Sequence, residues 1–379
     1  MNEWLLSNNV SEELKDELRT YDENKLNIAI NHKVEFGTAG IRGTMGAGYG
    51  YINENIINWV TIGYAKYLNN NFKNPKIVIA YDNRKNSKYF AKICSNVLSN
   101  HNVEVFIFSK LKSTPQLSFT IRMLNASGGI NITASHNPKV DNGYKLYNEY
   151  GGQYLPNDIE GIKNFINEIS SPIDTCVYSN SNEKLITILD DDSEFTNFIK
   201  NKTNVKFKNY EKILISPLHG CGQIIKSINE KVQFKNVFYV EDQMDGDENF
   251  TTAPEPNPDS KKAYEFAIKN NFNNCNYIIA NDPDADRVGI YDVKNDYLFS
   301  GNQIATLLVD YLITTKQFKK NQILITSNVS STLPLKIAKK HDIKTEVVLT
   351  GFKWIGDIMH DETYFMGYEE SNGYLTHTK

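Results

Sequence analysis

SGGINITASHNP, residues 127–138, joins an apolar run to a small polar cluster. The half up to Ile132 is typical of a short buried strand. Residues 133–138 are typical of the loop that leaves it, because Asn-Pro favours a turn. A lone Ser-His pair in such a loop is more often structural than functional. The equivalent positions elsewhere in the chain therefore decide how this loop is interpreted.

The pattern of strand, helix, strand, helix, strand occurs three times along the chain. The predicted strands cover 76–80, 103–108 and 129–132, then 212–216, 236–240 and 277–280, then 322–326, 345–349 and 363–367. Alternating β-rich and helical segments predict βαβ units. We therefore predict three similar α/β domains with mixed, mostly parallel sheets: domain I at 1–192, domain II at 193–302 and domain III at 303–379.

Each predicted third strand is followed by a loop rich in reactive side chains. These loops are residues 133–138 (TASHNP), 281–287 (NDPDADR) and 367–373 (GYEESNG). Open parallel sheets bind ligands beyond the carboxyl ends of their strands. A purely structural turn has no reason to recur at one topological position. We therefore expect one active site in the cleft between the three domains.

Composition narrows the class of protein. The chain has 379 residues, 40% hydrophobic and 23% charged, with a formal net charge of −4. These values are typical of a soluble globular protein and give no indication of a nucleic-acid or membrane partner. The four cysteines, at 94, 176, 221 and 275, form no Cys-x-x-Cys pair, so we expect a reducing, cytoplasmic environment.

The second loop has the composition of a cation site. Asp282, Asp284 and Asp286 alternate along it, and converging carboxylates repel one another unless a cation lies among them. Hard oxygen ligands in so small a cluster suit Mg²⁺. An EF-hand would need Gly and Glu where Arg287 and Val293 stand, which excludes that alternative. A solvated acidic turn is the structural alternative.

The first loop could supply a further ligand for such a cation. A phosphorylated Ser135 would present anionic oxygens to the metal, and Arg287 is suited to binding a phosphate. We therefore predict that Ser135 carries and transfers a phosphoryl group. Residues 36–43 (FGTAGIRG) match neither a Walker A sequence nor a dinucleotide fingerprint. Their glycines would allow a close backbone approach beside the charge of Arg42, although a structural glycine loop is equally consistent with them.

Together these segments resemble the α-D-phosphohexomutase superfamily, the phosphoglucomutases and phosphomannomutases. FGTAGIRG, TASHNP with NGYKLY, DPDADR, TGFKWIG and GYEESNG occur in that family's order. The resemblance implies that Ser135 is the phosphoserine and that Asp282, Asp284 and Asp286 hold one Mg²⁺ with its phosphate. It also implies active-site cations or proton-transfer groups at Arg42, His136, Lys145 and Arg287. The implied sugar-binding residues are Gly351, Phe352, Lys353, Glu369 and Ser371.

The resemblance also implies a reaction and its partners. Phosphate would move between C1 and the terminal hydroxyl of a phosphosugar through a bisphosphate intermediate, with a glucose 1,6-bisphosphate-type activator. The sugar could be glucose, mannose or a pentose, and the protein a monomer or homodimer. A sugar-phosphate-binding remnant without turnover and a Mg²⁺-dependent phosphatase are the alternatives.

One expectation concerns the family's fourth domain. That domain has an Arg-Pro-Ser-Gly-Thr-type loop that anchors the non-reacting phosphate, and we find no such loop up to Lys379. From this difference we expect slow turnover by residues 1–379 alone.

Overall fold

The structure is a computed structural model. It describes residues 3–37, 40–203, 211–270, 274–315, 317–318, 321–361 and 364–376, and of residues 360 and 361 only the backbone. The chain divides into two compact units. The first comprises Met1–Ala134 with Pro138–Asp190, and the second comprises Ser135–Asn137 with Asp191–Lys379.

Helices make up much of the described chain. In chain order the α-helices are α1 (Glu3–Leu6), α2 (Glu12–Arg19), α3 (Glu23–Asn31), α4 (Glu54–Asn71), α5 (Ser87–Asn100), α6 (Thr114–Met123), α7 (Pro156–Asn167), α8 (Ser193–Lys202), α9 (Ile224–Val232), α10 (Glu265–Asn270), α11 (Gly301–Thr314), α12 (Leu333–Lys339) and α13 (Phe352–Asp361). Short 3-10 helices lie at Glu183–Leu185, Cys221–Gln223, Glu241–Gln243 and Lys261–Tyr264.

The strands form three sheets. They are β1 (Gly40–Thr44), β2 (Lys76–Tyr81), β3 (Glu104–Phe108), β4 (Gly128–Ile132), β5 (Asp141–Asn148), β6 (Ile186–Leu189), β7 (Ile213–Ser216), β8 (Val237–Tyr239), β9 (Tyr277–Asn281), β10 (Val288–Asp292), β11 (Tyr297–Leu298), β12 (Ile323–Ser327), β13 (Lys344–Val348), β14 (Tyr364–Glu369) and β15 (Gly373–Leu375). The sheet orders are β1-β5-β4-β2-β3-β6, β11-β10-β9-β7-β8 and β13-β12-β14-β15.

The three sheets share one repeated arrangement. In each copy the first strand lies between the second and the third and runs parallel to both. The strand that follows the third pairs antiparallel with it, as in β4–β5, β9–β10 and β14–β15. The prediction of three α/β domains with mixed, mostly parallel sheets is therefore confirmed.

The buried strands of the first unit explain why that sheet forms. All five residues of β4 are buried, as are all residues of β2 except Lys76. Strands covered on both faces by βαβ crossovers are expected to be this apolar. α6 begins at a capping box in which Ser113 and Gln116 bond each other's backbone N–H groups, which fixes where the helix starts.

The second unit contains separate apolar cores for its two sheets. Leu214, Tyr264 and Tyr291 belong to the core beside β7 and β9. Leu324 and Tyr368 belong to the core beside β12 and β14. α11 begins at a second capping box, formed by Ser300 and Gln303.

The structure corrects one predicted loop. Residues 367–369 belong to β14 and Gly373 to β15, so the predicted loop 367–373 is a tight hairpin turn at residues 370–372. The predicted strand at 363–367 begins with a residue outside the described ones. The domain boundaries at 192/193 and 302/303 stay predictions. Among the helices described, each is too short or too polar to cross a bilayer.

Candidate functional site

The serine loop, residues 133–140, connects β4 to its antiparallel neighbour β5. Ser135 is buried, with 2% of its surface exposed, and has a left-handed φ of 53°. Its Oγ donates a hydrogen bond to Asp282 Oδ2 at 2.7 Å. The ring Nδ1 of His136 lies 3.3 Å from the same Oγ. The serine hydroxyl thus contacts a carboxylate of the predicted metal loop within the second unit.

The predicted metal loop, residues 282–287, lies between β9 and β10, the position equivalent to that of the serine loop between β4 and β5. Asp282, Asp284 and Asp286 each bring a carboxylate oxygen to within 4.8 Å of the others, and the first two are fully buried. Asp282 Oδ1 accepts a hydrogen bond from the backbone N–H of Arg287 at 3.0 Å. Burial, and then the Asp286 and Asp284 carboxylates, raise the pKa of Asp282 well above its ordinary value. A cation would remove this penalty.

The donor set fits a hard divalent cation. Three carboxylates on one short loop offer only oxygen ligands, which Mg²⁺ prefers over nitrogen or sulfur. Three protein ligands also leave coordination positions for water or a phosphate oxygen. The prediction that these residues converge is confirmed by their geometry.

Arg287 lies beside a carboxylate outside the triad. Its Nη1 is 3.7 Å from Asp259 Oδ2. Burial raises the pKa of Asp259, and the Arg287 guanidinium opposes that shift. Asp259 therefore limits where the guanidinium can point.

The third equivalent hairpin, with its turn at residues 370–372, joins β14 to β15 and carries predicted sugar-binding residues. Glu369 Oε1 accepts a hydrogen bond from the backbone N–H of Gly351 at 2.7 Å, and burial raises the pKa of Glu369. Phe352 packs against Gly373, where a Cβ would lie 3.2 Å from the ring. The partly buried Lys353 stands over the Trp354 ring, 5.8 Å from its centroid. The predicted substrate residues on α13 and on the hairpin are thus brought together.

Neighbouring contacts fix the hairpin itself. Glu370 Oε2 accepts a hydrogen bond from Ser330 Oγ at 2.8 Å, and the Glu370 backbone N–H donates to the same Ser330 oxygen at 3.1 Å. Asn372 is fully buried with a φ of 65°. Its carbonyl oxygen accepts a bond from the N–H of Val288, on β10, at 3.1 Å. Ser371, between Glu370 and Asn372, is partly exposed.

The two remaining predicted cations belong to the first unit. Arg42 on β1 is opposite Gly143 on β5, and Lys145 is opposite Gly40. Residues directly opposite one another share a face of the sheet, so Arg42 and Lys145 are diagonal neighbours on one face. Their direct partners are glycines, which add no side chain between the charges. Two adjacent cations on such a face are suited to binding an anion.

Comparison with known proteins identifies the family. Models of the phosphoglucomutase/phosphomannomutase α/β/α domains I, II and III match residues 33–172, 193–295 and 300–379. A phosphomannomutase of Mycoplasmoides pirum is 36% identical over an alignment of 396 positions, which covers 99% of this chain and 72% of the relative. This chain belongs to the phosphoglucomutase/phosphomannomutase family.

A further relative supports this assignment, and a solved structure shares the fold. A phosphoglucomutase of Staphylococcus epidermidis is 35% identical over 359 residues, 91% of this chain and 66% of the relative. The chain thus spans about two thirds of the length of that relative. The crystal structure of a proposed phosphomannomutase from Thermus thermophilus shares the fold, with a TM-score of 0.78 and 22% identity over 90% of this chain and 75% of the other.

Several residues around the family's site were not found from the sequence. They are Asp82 and Arg84 beneath the serine loop, Asp259 beside Arg287, and the loop at 217–222 that packs on Pro283. Asp82 and Arg84 closely follow β2, and residue 217 directly follows β7. The rule that ligands bind beyond carboxyl strand ends would have found these three, had it been applied to the first strand of each copy as well as the third. Asp259 lies between β8 and α10, where that rule gives no signal.

Proposed function

We propose that this protein moves a phosphoryl group within a phosphosugar, using Ser135 as the covalent carrier. The single observation that supports this most directly is the 2.7 Å hydrogen bond from Ser135 Oγ to Asp282 in the triple-aspartate cluster. A serine held against a cation site can present its phosphate to the cation. The named activities of the family members agree with this chemistry.

Asp282, Asp284 and Asp286 would hold one Mg²⁺, which when bound neutralises charge on the transferring phosphoryl group. The phosphoserine O–P bond breaks as a new bond forms from a sugar hydroxyl oxygen to phosphorus. The hydroxyl proton leaves to a base, and Ser135 regains a proton. His136 and Lys145 are the candidate proton-transfer groups, and His136 has its ring nitrogen 3.3 Å from the serine oxygen.

The remaining predicted residues would bind the sugar and its charges. Arg42 and Arg287 would stabilise phosphate, and a backbone turn at Gly351 with Phe352 and Lys353 would border the sugar. Glu369 and Ser371 would accept hydrogen bonds from sugar hydroxyls. A bisphosphate of the same sugar would regenerate the phosphoserine as activator. The reaction would take place in the cytoplasm, and the glucose, mannose and pentose alternatives stay open.

The experiment is to measure phosphate on Ser135. Purified protein is incubated with glucose 1,6-bisphosphate and Mg²⁺ and analysed by intact-mass and peptide mass spectrometry. We expect one phosphoryl group at Ser135, none in Ser135→Ala, and normal loading in the matched control Ser127→Ala. Stoichiometric phosphate on another serine, with none on Ser135, would contradict the proposal.

A further inference from the structure

A buried ion pair lies at the carboxyl end of β2, in the first unit. Arg84 Nε is 3.2 Å from Asp82 Oδ2, and neither side chain is exposed to solvent. Asp82 Oδ1 accepts hydrogen bonds from the Arg84 backbone N–H at 3.0 Å and from Ser87 Oγ at 2.7 Å. Buried charges persist only where such partners compensate for lost hydration. The pair is therefore a built feature of the fold.

This ion pair holds both ends of the serine loop. Thr133 Oγ1 donates a hydrogen bond to Asp82 Oδ2 at 2.6 Å. Arg84 Nη1 donates to the carbonyl oxygens of Pro138, at 2.7 Å, and Asp141, at 3.1 Å. Thr133 precedes Ser135 by two residues and Pro138 follows it by three. One ion pair thus fixes the chain on either side of the reactive serine.

The backbone at Ser135 needs this support. Its φ of 53° is left-handed, a conformation that non-glycine residues keep only where their surroundings impose it. The loop tip would also change its charge each time it gains or loses a phosphate, by about −1.5 to −2. Fixed loop ends would keep the serine oxygen in one place through both states.

We propose that Asp82 and Arg84 are positioning residues for phosphoryl transfer, and that Thr133 transmits their effect to Ser135. The role attached to Ser135 rests on the proposed function above. Neither charged residue would touch the substrate. The pair acts by holding the loop ends, so its loss should slow transfer while leaving Mg²⁺ binding by the aspartate loop unchanged.

The most discriminating variants are Thr133→Val and Thr133→Ser. Valine has nearly the shape of threonine but cannot bond Asp82, whereas serine restores the hydroxyl, and both leave the ion pair intact. Arg84→Lys keeps the charge but loses the planar guanidinium, which places Nε beside Asp82 while Nη1 bonds the two carbonyls. Asn96→Ala is the control, because Asn96 is buried on α5 and bonds Tyr178 O, at the end of that helix away from Ser87.

Two measurements are made on each variant. The first is the single-turnover rate of phosphoryl transfer from phosphorylated Ser135 to glucose 1-phosphate, by rapid quench. The second is amide hydrogen exchange of peptides covering 133–141. A displacement of about 1 Å costs about 10²-fold in rate, so we expect a loss of that order in Thr133→Val and Arg84→Lys. Thr133→Ser should recover to within about threefold, with Mg²⁺ affinity unchanged throughout.

The outcomes separate this inference from the proposed function. Faster exchange in Thr133→Val, recovered in Thr133→Ser, would support loop positioning even if the wild-type protein carried no phosphate on Ser135, an outcome that overturns only the proposed function. Unchanged exchange and an unchanged transfer rate in Thr133→Val would overturn the positioning role while leaving the phosphoserine intact. A rate loss in Asn96→Ala equal to that in Thr133→Val would show that the rate loss comes from general destabilisation, and this outcome would also overturn the positioning role.

Discussion

At the scale of single residues, Asp282 connects the serine loop to the aspartate cluster. Its Oδ2 accepts the Ser135 hydroxyl and its Oδ1 accepts the Arg287 backbone N–H. It is fully buried beside two further carboxylates, and burial is the largest cause of its raised pKa. The charged form of Asp282 is therefore disfavoured in the metal-free cluster, and a cation between the carboxylates, as the proposed function requires, would offset that penalty.

His219 is a buried histidine whose protonation should affect the free energy of unfolding. Its ring is buried, and Nε2 accepts a hydrogen bond from the Thr252 N–H at 3.3 Å. Burial lowers the pKa of His219, although nearby Asp247 opposes the shift. The unfolded chain therefore binds the proton more readily than the folded chain in the range below about pH 6.5.

We accordingly expect the free energy of unfolding to fall as the pH drops below about 6.5, the ordinary pKa of histidine. Urea unfolding between about pH 7.5 and 5.0 is the measurement, a range that brackets that pKa. His219→Gln should reduce this slope, because glutamine takes up no proton, and leave the share that comes from His101, whose pKa burial also lowers. His341→Gln, at an exposed histidine, is the control and should keep the slope. An identical pH dependence in wild type and His219→Gln would contradict the prediction.

At the scale of elements, the shared strand order explains how the three loops are supported. The first and third strands of each copy are adjacent and parallel, so the loops at their carboxyl ends lie side by side. Asp82 therefore reaches Thr133, Cys221 N–H donates to Pro283 O at 2.8 Å, and Ser330 reaches Glu370. In every copy the loop after the first strand is hydrogen-bonded to the loop after the third strand and supports it.

In the second copy, the loop at 217–222 packs closely on the metal loop. A Cβ at Gly220 would lie 2.4 Å from Pro283 Cα and 2.5 Å from Pro283 O. Neither backbone atom can move aside without shifting the aspartates. Gly220→Ala should therefore cost roughly 1–3 kcal/mol of stability by overpacking and weaken Mg²⁺ binding.

Thermal unfolding and calorimetric Mg²⁺ titration measure these two effects. Gly356→Ala is the matched control, because a Cβ there meets nothing within 4 Å. It should stabilise α13 by about 0.8–1.0 kcal/mol, the difference in helix propensity, with Mg²⁺ affinity unchanged. Wild-type affinity in Gly220→Ala would show that the loop at 217–222 does not position the aspartates.

Short-range sequence patterns predicted the strands and helices that depend mainly on interactions within a short stretch of chain. Strands β2, β4 and β9 were predicted from their apolar runs, which alternate with helical segments. The convergence of the three aspartates was predicted from their alternate positions along one short loop. The antiparallel strands β5, β10 and β15 were not predicted, because their polar or short sequences become strands only by pairing with the third strand of each copy. The Asp82–Thr133 bond joins residues 51 positions apart, and no short-range pattern reports such a contact.

At the scale of the whole molecule, the candidate residues are shared out between the two compact units. Ser135, the aspartates, Arg287 and Glu369 all belong to the second unit, whereas Arg42, Lys145 and the Asp82–Arg84 pair belong to the first. Each unit has hydrophobic cores of its own. A ligand that contacts only the second unit's aspartates should therefore stabilise that unit directly.

Mg²⁺ provides the test, with native-state hydrogen exchange as the measurement. Binding to the folded state alone stabilises it by RT ln(1 + [L]/Kd), about 2.7 kcal/mol at roughly a hundredfold excess over Kd. We expect increased protection in peptides covering β9 and β10, whose connecting loop holds the aspartates, and little change in those covering β2 and α4.

Asp284→Asn should lose most of this protection, since it removes one anionic ligand. It should not weaken the metal-free protein, because carboxylate repulsion falls. Asp296→Asn, outside the triad and ion-paired with Lys261, should respond to Mg²⁺ like the wild type. Equal protection of both units, or an undiminished response in Asp284→Asn, would mean that the cation binds elsewhere.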